Sequence, residues 1–403
     1  MVKQVFSKVE NALKDIKSGK MVIVVDDPSR ENEGDLICAA EKATPSVINF
    51  MAKHGRGLIC VPMLKQRLDE LGIGKMIEND KEVKEAVFTV SVDVKHGATT
   101  GISAHDRALT IKRLIDKKAK KDDFARPGHI FPLIYKEGGV LVRTGHTEAA
   151  VDIAKLAGLY PAGVICEIMK EDGKMARLPY LLKFAKKHSF KIITIADIIE
   201  FRRKNEKFVE CLNIVSLPTE YGDFKLHLYK NKLSGENHLA LVKGDVSGKK
   251  DVLVRVHSSC ITGDILHSLR CDCGEQLHMA LKAVEKEGCG VVLYMFQEGR
   301  GIGLANKIHA YSLQEKGLDT VEANIALGFK PDLREYGIGA QILADLGLTS
   351  IRVMTNNPCK IVGLNGYGLK IAGRVPINTI ANAKNYKYLK TKKEKMGHYI
   401  SFK

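Results

Sequence analysis

Residues 21–35 read MVIVV followed by DDPSRENEGD, so an apolar run passes directly into an acidic loop. The run Met21–Val25 predicts a strand buried on both faces, as in the parallel sheet of an α/β protein. Acidic residues in a loop at a strand end can bind a hard divalent ion through oxygen, and Arg30 can hold a phosphate. Taken alone, such a cluster is more often a solvated turn, so its meaning depends on the rest of the chain.

Apolar runs and amphipathic stretches go on alternating through the first half. Val164–Ile168 and Lys191–Ile195 predict two further strands. Helical spacing is found in three segments: Ser46–His54, Ala104–Lys118 and Leu181–Lys187. Strands and helices that alternate in this way predict an α/β layered domain. The segment Asp197–Asn213 begins with a helical pattern and then loses its period, which indicates a domain boundary near residue 205.

The second half predicts a mixed α/β domain. Three short alternating runs suggest antiparallel strands: Phe224–Tyr229, Ala240–Lys243 and Val252–His257. Further elements follow: helices Gly274–Glu287, Gly303–Gln314 and Gly337–Asp345, and strands Gly290–Phe296 and Ser350–Thr355. Because 403 residues are too many for one ordinary core, we predict two domains, residues 1–205 and 206–403.

Composition narrows the class of protein. The chain has 63 Lys and Arg against 47 Asp and Glu, and the net charge of +16 suits anionic small substrates such as phosphates. No dense basic stripe interleaved with aromatic residues is present, so we expect no nucleic-acid partner. No apolar run approaches the roughly eighteen residues of a membrane span, so we expect no membrane partner. The nine cysteines, without a signal peptide, predict a cytoplasmic protein.

The clearest chemical signal is a cysteine cluster in which Cys260 is followed by Cys271 and Cys273. Three thiolates leave one of the four tetrahedral zinc positions for water, which is the catalytic arrangement. Zinc lowers the pKa of that water, so the cluster points to a hydrolase. Two alternatives remain open. The cysteines can simply fill core space, or a structural zinc can take a fourth ligand from the neighbouring histidines His257, His267 and His278.

Other polar segments of the first half support the acidic loop. The sequence RTGHTE, residues 143–148, leads into a helix with Thr147 as a plausible N-cap, a geometry that favours phosphate. His146 can serve as metal ligand or proton carrier. The sequence RPGH, residues 126–129, predicts a tight turn that presents His129. Glu167 interrupts an apolar strand, so its carboxylate must be paired or act chemically.

These segments resemble the 3,4-dihydroxy-2-butanone 4-phosphate synthase family. The resemblance spans residues 1–200 and is carried by DDPSRENEGD, HGRGLICVP, TTGISAHDR, RPGHIFPL, RTGHTEAAVD and PAGVICEI. It implies conversion of ribulose 5-phosphate to 3,4-dihydroxy-2-butanone 4-phosphate and formate. It implies that Glu31 and His146 hold Mg2+ (or Mn2+), and that His129 and Glu167 are catalytic. The substrate-binding residues it implies are Arg30, Glu31, Asp35, Arg143, Thr144, Gly145, His146, Thr147 and Glu167.

Four loops of the second half accompany the cysteine cluster. The sequence RVHSS, residues 255–259, precedes it, and QEGRGIG, residues 297–303, joins a strand to a helix in a geometry that suits phosphate. The latter is not a P-loop, since no Gly-Lys-Ser/Thr follows. The sequence PDLREYGIG, residues 331–339, places an acid and a guanidinium before a helix, and TNNPCK, residues 355–360, is a polar turn after a strand.

Together these loops and the closing segment KKEKMGH, residues 392–398, resemble the GTP cyclohydrolase II family over residues 210–400. The resemblance implies Zn2+ on Cys260, Cys271 and Cys273, and hydrolysis of GTP to formate, pyrophosphate and 2,5-diamino-6-(5-phosphoribosylamino)pyrimidin-4-one. The GTP contacts it implies are Arg255, Val256, His257, Ser258, Ser259, Gln276, Glu298, Gly299, Arg300, Thr320, Thr355 and Lys360. It assigns Asp332 as proton acceptor and Arg334 as nucleophile. Because arginine stays protonated, we expect Arg334 instead to stabilise the departing pyrophosphate.

Three positions depart from the cyclohydrolase pattern. Ser259 stands where the family carries glutamate, and Phe296 and His309 stand where arginine is usual. We expect a bifunctional enzyme of riboflavin biosynthesis, a homodimer by family analogy. One alternative is that only the synthase half is active and the second half is a scaffold. Another is a zinc-dependent nucleotide- or RNA-binding regulator.

Overall fold

The computed structural model describes residues 5–77, 86–329, 336–358, 364 and 369–400. The predicted site residues Asp332, Arg334 and Lys360 lie outside the described residues. The chain divides into two compact units, Met1–Asn205 and Glu206–Lys403. Along the described stretches, no helix is both long and apolar enough to cross a membrane.

The first unit alternates strands with helices. Its helices are α1 (Val9–Lys17), α2 (Pro45–Phe50), α3 (Lys65–Glu70), α4 (Ala104–Ile115), α5 (His146–Leu156), α6 (Leu178–His188) and α7 (Ile195–Asn205). Its strands are β1 (Val22–Val25), β2 (Gly34–Ala39), β3 (Cys60–Leu64), β4 (Val87–Phe88), β5 (Val92–Val94), β6 (Phe124–Tyr135), β7 (Gly163–Glu167) and β8 (Lys191–Thr194).

The strands of the first unit form one mixed sheet between two layers of helices. The strand order is β4-β6-β3-β7-β2-β1-β8, with β5 paired to β6. Ile23 of β1 faces a core with α2, α4 and α6, whereas its neighbour Val24 faces a second core with α1, α5 and α7. The apolar run at Met21–Val25 is therefore continuous because both faces of the sheet are covered.

The second unit is built on one sheet with an antiparallel and a parallel half. Its strands are β9 (Val209–Thr219), β10 (Gly222–Asn231), β11 (Asn237–Lys243), β12 (Val252–Ser258), β13 (Gly290–Met295), β14 (Ser350–Met354) and β15 (Lys370–Val375). Its helices are α8 (Cys273–Glu287), α9 (Gly303–Glu315), α10 (Thr320–Ala326), α11 (Tyr336–Asp345) and α12 (Tyr386–Glu394). The order is β15-β14-β12-β13-β11-β10-β9, and α8 packs on this sheet through Leu281 and Val284.

The α/β class and most of the predicted elements are confirmed, and three local predictions are wrong. Strand β12 pairs in parallel with β13 and β14, so the suggestion that Val252–His257 is antiparallel is wrong. Residues 126–129 lie inside β6, with a cis bond before Pro127, and do not form a tight turn. Helix α5 begins at His146 with Gly145 as N-cap, so Thr147 is a buried residue of the first turn and not the cap.

Candidate active sites

The first unit has a cavity at the ends of β1, β2 and β7. The loop after β1, the first turn of α5 and the end of β7 meet there. Of the predicted residues, eight line it: Arg30, Glu31, Asp35, Arg143, Gly145, His146, Thr147 and Glu167. His129 and Thr144 are not among the described residues that line it. The structure thus brings together segments that are as far as 137 residues apart in the sequence, from Arg30 to Glu167.

His146 is held in a state that can bind a cation. Its Nε2 lies 3.1 Å from the carbonyl oxygen of Val24, which can only accept a hydrogen bond, so Nε2 carries the proton. The lone pair on Nδ1 then faces Oε2 of Glu31 at 4.0 Å and Oδ1 of Asp35 at 3.9 Å. Burial lowers the pKa of His146, which keeps the ring neutral. A lone pair that faces two carboxylates fits a divalent cation between them.

Asp35 and Glu167 are opposite each other in the β2–β7 ladder. Asp35 is 2% exposed, and its Oδ1 has no hydrogen-bond partner among the described residues. Burial raises the pKa of Asp35 well above its usual value, and the nearby carboxylates of Glu167, Glu33 and Glu31 add to the effect. A buried carboxyl oxygen without a donor is costly, so this carboxylate also fits a site that receives a cation or a substrate hydroxyl.

Two arginines flank these carboxylates. Arg143 makes a bidentate pair with the buried Glu148, with Nε–Oε2 and Nη2–Oε1 distances of 2.7 Å. Arg30 pairs with Asp26 and Glu31, and its guanidinium packs against Gly145, where an added Cβ would lie 3.5 Å from Nη2. Arg30 and the Gly145 turn therefore form one surface that suits an anionic group.

His129 lies in β6 beside Asp93 of β5. Its Nδ1 is 2.7 Å from Oδ2 of Asp93, and its backbone N–H donates to Oδ1 of the same residue at 2.9 Å. Gly101 packs against this pair and has a positive φ. An added Cβ at Gly101 would lie 2.0 Å from the Asp93 carboxylate. Asp93 therefore holds the ring with Nε2 facing outward. No sequence pattern indicated Asp93, because its contact with His129 joins two different strands, β5 and β6.

The second unit brings the three cysteines together. Their sulfurs lie within 4.8 Å of one another, with 3.7 Å between Cys260 and Cys271. Cys260 follows β12, and Cys273 is the first residue of α8. Gly263 packs against the cluster, and an added Cβ would lie 2.8 Å from Sγ of Cys271. Three sulfurs at this spacing suit a tetrahedral soft metal with one ligand position left over.

The cysteines open onto a cavity at the ends of the parallel strands. The predicted residues that line it are Arg255, His257, Ser258, Ser259, Cys260, Cys271, Cys273, Gln276, Glu298, Gly299, Arg300, Thr320 and Thr355. Val256 is 2% exposed in the sheet and is not among the lining residues. Arg300 has positive φ, and the atom Nη1 of its guanidinium is buried without a partner among the described residues. A strained backbone that buries a guanidinium is typical of a binding site.

Twelve further described residues line the cavity and were not predicted as site residues, and Lys307, Tyr388, Lys392 and His398 are among them. Lys392 of α12 is 8% exposed and reaches back to Asp272, between two of the cysteines, with an Nζ–Oδ1 distance of 2.7 Å. Lys307 follows Gly303 by four residues, one helical turn, so helical spacing from the glycine-rich loop could have found it. Lys392 begins the closing segment that carries part of the cyclohydrolase resemblance, but no local spacing pairs it with Asp272, which lies 120 residues away.

The three departures from the cyclohydrolase pattern differ in location. Ser259 is 7% exposed and lines the cavity, and its backbone N–H donates to the Met295 carbonyl at 2.8 Å. Phe296 is 45% exposed, and His309 is exposed on α9. Neither is among the described residues that line the cavity. Only the change at Ser259 therefore alters the cavity wall.

Comparisons with known proteins cover both units. Residues 10–201 match the family model described as 3,4-dihydroxy-2-butanone 4-phosphate synthase, and residues 210–376 match that of GTP cyclohydrolase II. The riboflavin biosynthesis protein RibBA of Endomicrobium trichonymphae is 65% identical over 400 residues, 99% of this chain and 99% of that protein. RibBA of Aquifex aeolicus is 59% identical over 396 residues, 98% of each chain.

A solved structure also matches along nearly the whole chain. RibBX of A. baumannii, described as a two domain 3,4-dihydroxy-2-butanone 4-phosphate synthase, is 38% identical with a TM-score of 0.66. The match covers 93% of this chain and 100% of that one.

Proposed function

This chain belongs to the RibBA family of bifunctional riboflavin biosynthesis enzymes, and we propose that each unit carries one of the two reactions. The first unit, residues 1–205, takes ribulose 5-phosphate to 3,4-dihydroxy-2-butanone 4-phosphate and formate. The second, residues 206–403, takes GTP to formate, pyrophosphate and the diaminopyrimidine. The observation that carries this proposal for the second unit is the group of three sulfurs within 4.8 Å at the wall of a cavity.

In the synthase unit, Glu31 and His146 would hold Mg2+ or Mn2+. The ion would supply positive charge where the substrate develops an enediolate. Arg30, Arg143, Thr144 and the Gly145–Thr147 turn would bind the substrate, and Asp35 would accept from its hydroxyls. Glu167 would move a proton within the cavity, because its carboxylate lies beside that of Asp35 in the sheet.

His129 would act as the second acid/base group of the synthase. Asp93 holds Nδ1–H, so the proton is taken or given at Nε2. His129 is not among the described residues that line the cavity. This role therefore requires that a substrate bound by the other eight residues extends out of the cavity as far as Nε2 of His129.

In the cyclohydrolase unit, Cys260, Cys271 and Cys273 would hold Zn2+. The ion would lower the pKa of a water in its fourth position. Arg255, Gln276 and Arg300 would contact GTP, together with His257–Ser259, Glu298, Gly299, Thr320, Thr355 and Lys360. Asp332 would accept the proton, and Arg334 would stabilise the charge of the leaving pyrophosphate.

A scaffold role for the second unit is the competing proposal, and Ser259 is the observation that favours it. A glutamate at this buried position would add a carboxylate to the cavity, which this chain lacks. The cysteines and the arginines remain, so we favour activity. Both units match enzyme families, so we propose an enzyme and not the alternative of an RNA-binding regulator. We further propose a cytoplasmic homodimer without nucleic-acid or membrane partners.

Formate release tests both reactions on the purified full chain. With Mg2+, formate should form from ribulose 5-phosphate, and with Zn2+ it should form from GTP together with pyrophosphate. Formate from ribulose 5-phosphate alone, at full zinc loading, would establish the scaffold alternative. In that case the Ser259→Glu variant should recover the GTP reaction if this position is the cause.

A further inference from the structure

Lys307 contacts both the cysteine cluster and a residue of the glycine-rich loop. It projects from α9, is 8% exposed, and places Nζ 3.1 Å from Sγ of Cys260 and 2.7 Å from Oε1 of Glu298. A lysine is almost never buried to this extent without a charged partner. Here it has two potential partners, one carboxylate and one thiolate.

Glu298 anchors the lysine from the other side. Its Oε2 accepts the backbone N–H of Ile261 at 2.7 Å, and its Oε1 accepts that of Gly299 at 3.1 Å. Ile261 follows Cys260 directly, so Glu298 ties the loop that carries the first cysteine to the loop that follows β13. Glu298 is thus occupied by protein donors, and Lys307 is held on a fixed carboxylate with its ammonium against the sulfur.

The charge of the cluster explains why a cation belongs there. Three thiolates around a divalent ion carry a net charge of −1 in a site that is largely buried. Such a charge needs a compensating partner. The ammonium of Lys307 meets this need, because its Nζ lies 3.1 Å from Sγ of Cys260 and is held by the Glu298 carboxylate at 2.7 Å.

We propose that Lys307 is a positioning residue that neutralises the tri-cysteine metal site and weakens the electron donation of Cys260 to the bound metal. The inference rests on the proposed zinc site. A metal that receives less charge from its thiolates is a stronger Lewis acid toward its fourth ligand. Lys307 therefore acts on the metal through Cys260 and not by contact with GTP. This role is distinct from a structural ion pair, which would leave the metal–sulfur bond unchanged.

The test uses the full chain, stripped of metal and reloaded with Co2+ or Zn2+, as wild type and as Lys307→Met. Without the ammonium, the sulfur lone pair rises in energy, so the sulfur-to-cobalt charge-transfer band should move to longer wavelength. Zinc affinity, measured by chelator competition, should fall about 10–100-fold, the range found for partners of metal ligands. The reason is that the buried net charge of −1 loses its compensating cation, and this cost outweighs the stronger donation of the sulfur. Lys307→Arg keeps the charge and should restore most of both properties.

Controls separate this effect from misfolding. Lys243→Met removes a comparable lysine–carboxylate pair, with Glu285, in the same unit and should change neither the band nor the affinity. Formate release from ribulose 5-phosphate by the first unit should be unchanged. If Lys307→Met does not fold because the charge of Glu298 is left without a cation, the double change Lys307→Met, Glu298→Gln removes that charge and should still shift the band.

The test can distinguish a failure of the proposed zinc site from a failure of the proposed role of Lys307. If wild-type protein takes up no Co2+ or Zn2+ at the cysteines, the proposed zinc site is wrong. If wild type binds the metal, and the folded Lys307→Met and double variants show the same band and affinity as wild type, the role of Lys307 is overturned.

Discussion

The synthase cavity offers carboxylate oxygens and one imidazole nitrogen, whereas the cyclohydrolase cavity offers three sulfurs. Oxygen donors suit hard ions such as Mg2+ and Mn2+, and thiolates select softer ions such as Zn2+. On the proposed assignment, this difference in donor atoms keeps the two metals apart within one chain. The selection is made by donor chemistry, so each site should fail independently of the other.

The two cavities also differ in how their negative charge is balanced. Asp35 is a buried carboxyl group with one oxygen that has no partner among the described residues. Cys260, in contrast, has the ammonium of Lys307 at 3.1 Å. We therefore expect the synthase site to depend on a cation that arrives from solution, whereas the cyclohydrolase cavity has the lysine ammonium beside its cysteines. The following changes test this contrast, from the largest expected effect to the smallest.

Replacing Cys271 by serine should have the largest effect. A hard hydroxyl replaces a soft thiolate, so zinc is lost and formate from GTP should fall by about 10³-fold or more. Formate from ribulose 5-phosphate should stay within about twofold, since the two sites lie in different units and have no residue in common. Both yields are measured on one preparation with its zinc content. A parallel loss of both reactions would contradict independent sites.

The Glu31→Gln change is the mirror experiment. It removes the charge of a proposed Mg2+ ligand, so formate from ribulose 5-phosphate should fall by roughly 10²–10³-fold. Formate from GTP and the zinc content should stay at the wild-type level. High Mg2+ should recover part of the activity, because the remaining His146 and Asp35 still face the same point. Full activity at ordinary Mg2+ would exclude Glu31 as a ligand.

Gly57→Ala should perturb the synthase cavity sterically. An added Cβ would lie 2.4 Å from Oε2 of Glu167 and 2.5 Å from its carbonyl oxygen, so the end of β7 must shift. We expect a loss of about 1–3 kcal/mol of stability and a 10–100-fold fall in synthase rate. Gly74→Ala is the matched control, because no atom of the described residues lies within 4 Å of its added Cβ. Equal activity of the two variants would show that the position of Glu167 is unimportant.

The smallest effect concerns pH and Asp35. Its raised pKa means that the folded state keeps a proton that the unfolded chain loses near its ordinary pKa of 3.8. The contribution of Asp35 to the free energy of unfolding is therefore fully present below pH 3.8. It is lost as the pH rises through the higher pKa of Asp35 in the folded state. In EDTA, wild type should therefore lose stability relative to Asp35→Asn as the pH rises, and Mg2+ should reverse the trend.

Thermal unfolding of both proteins across pH measures this difference, and the other titrating groups cancel between them. If the stability of wild type and of Asp35→Asn changes with pH in the same way, both with and without Mg2+, Asp35 does not interact with the ion.

The sequence alone carried the donor chemistry, because it resides in residue type and close spacing. The thiols at 260, 271 and 273 are separated by a short loop, so they can meet whatever the wider fold does. The buried strand at Met21–Val25 was predicted because continuous apolar residues need cover on both faces. The strand pairing of Val252–His257 was wrong because strand direction depends on neighbours that lie far away in the chain.

Only the tertiary structure decided which distant groups complete each site. Asp93 reaches His129 across 36 residues, Lys307 reaches Cys260 across 47, and Lys392 reaches Asp272 across 120. Such pairs produce no periodic pattern in the sequence, because they depend on how strands and helices pack and not on local spacing. The identity of the donors is therefore a property of the sequence. The charge that balances them, a fixed lysine at the cysteines and the external cation that we propose at Asp35, follows from the packing.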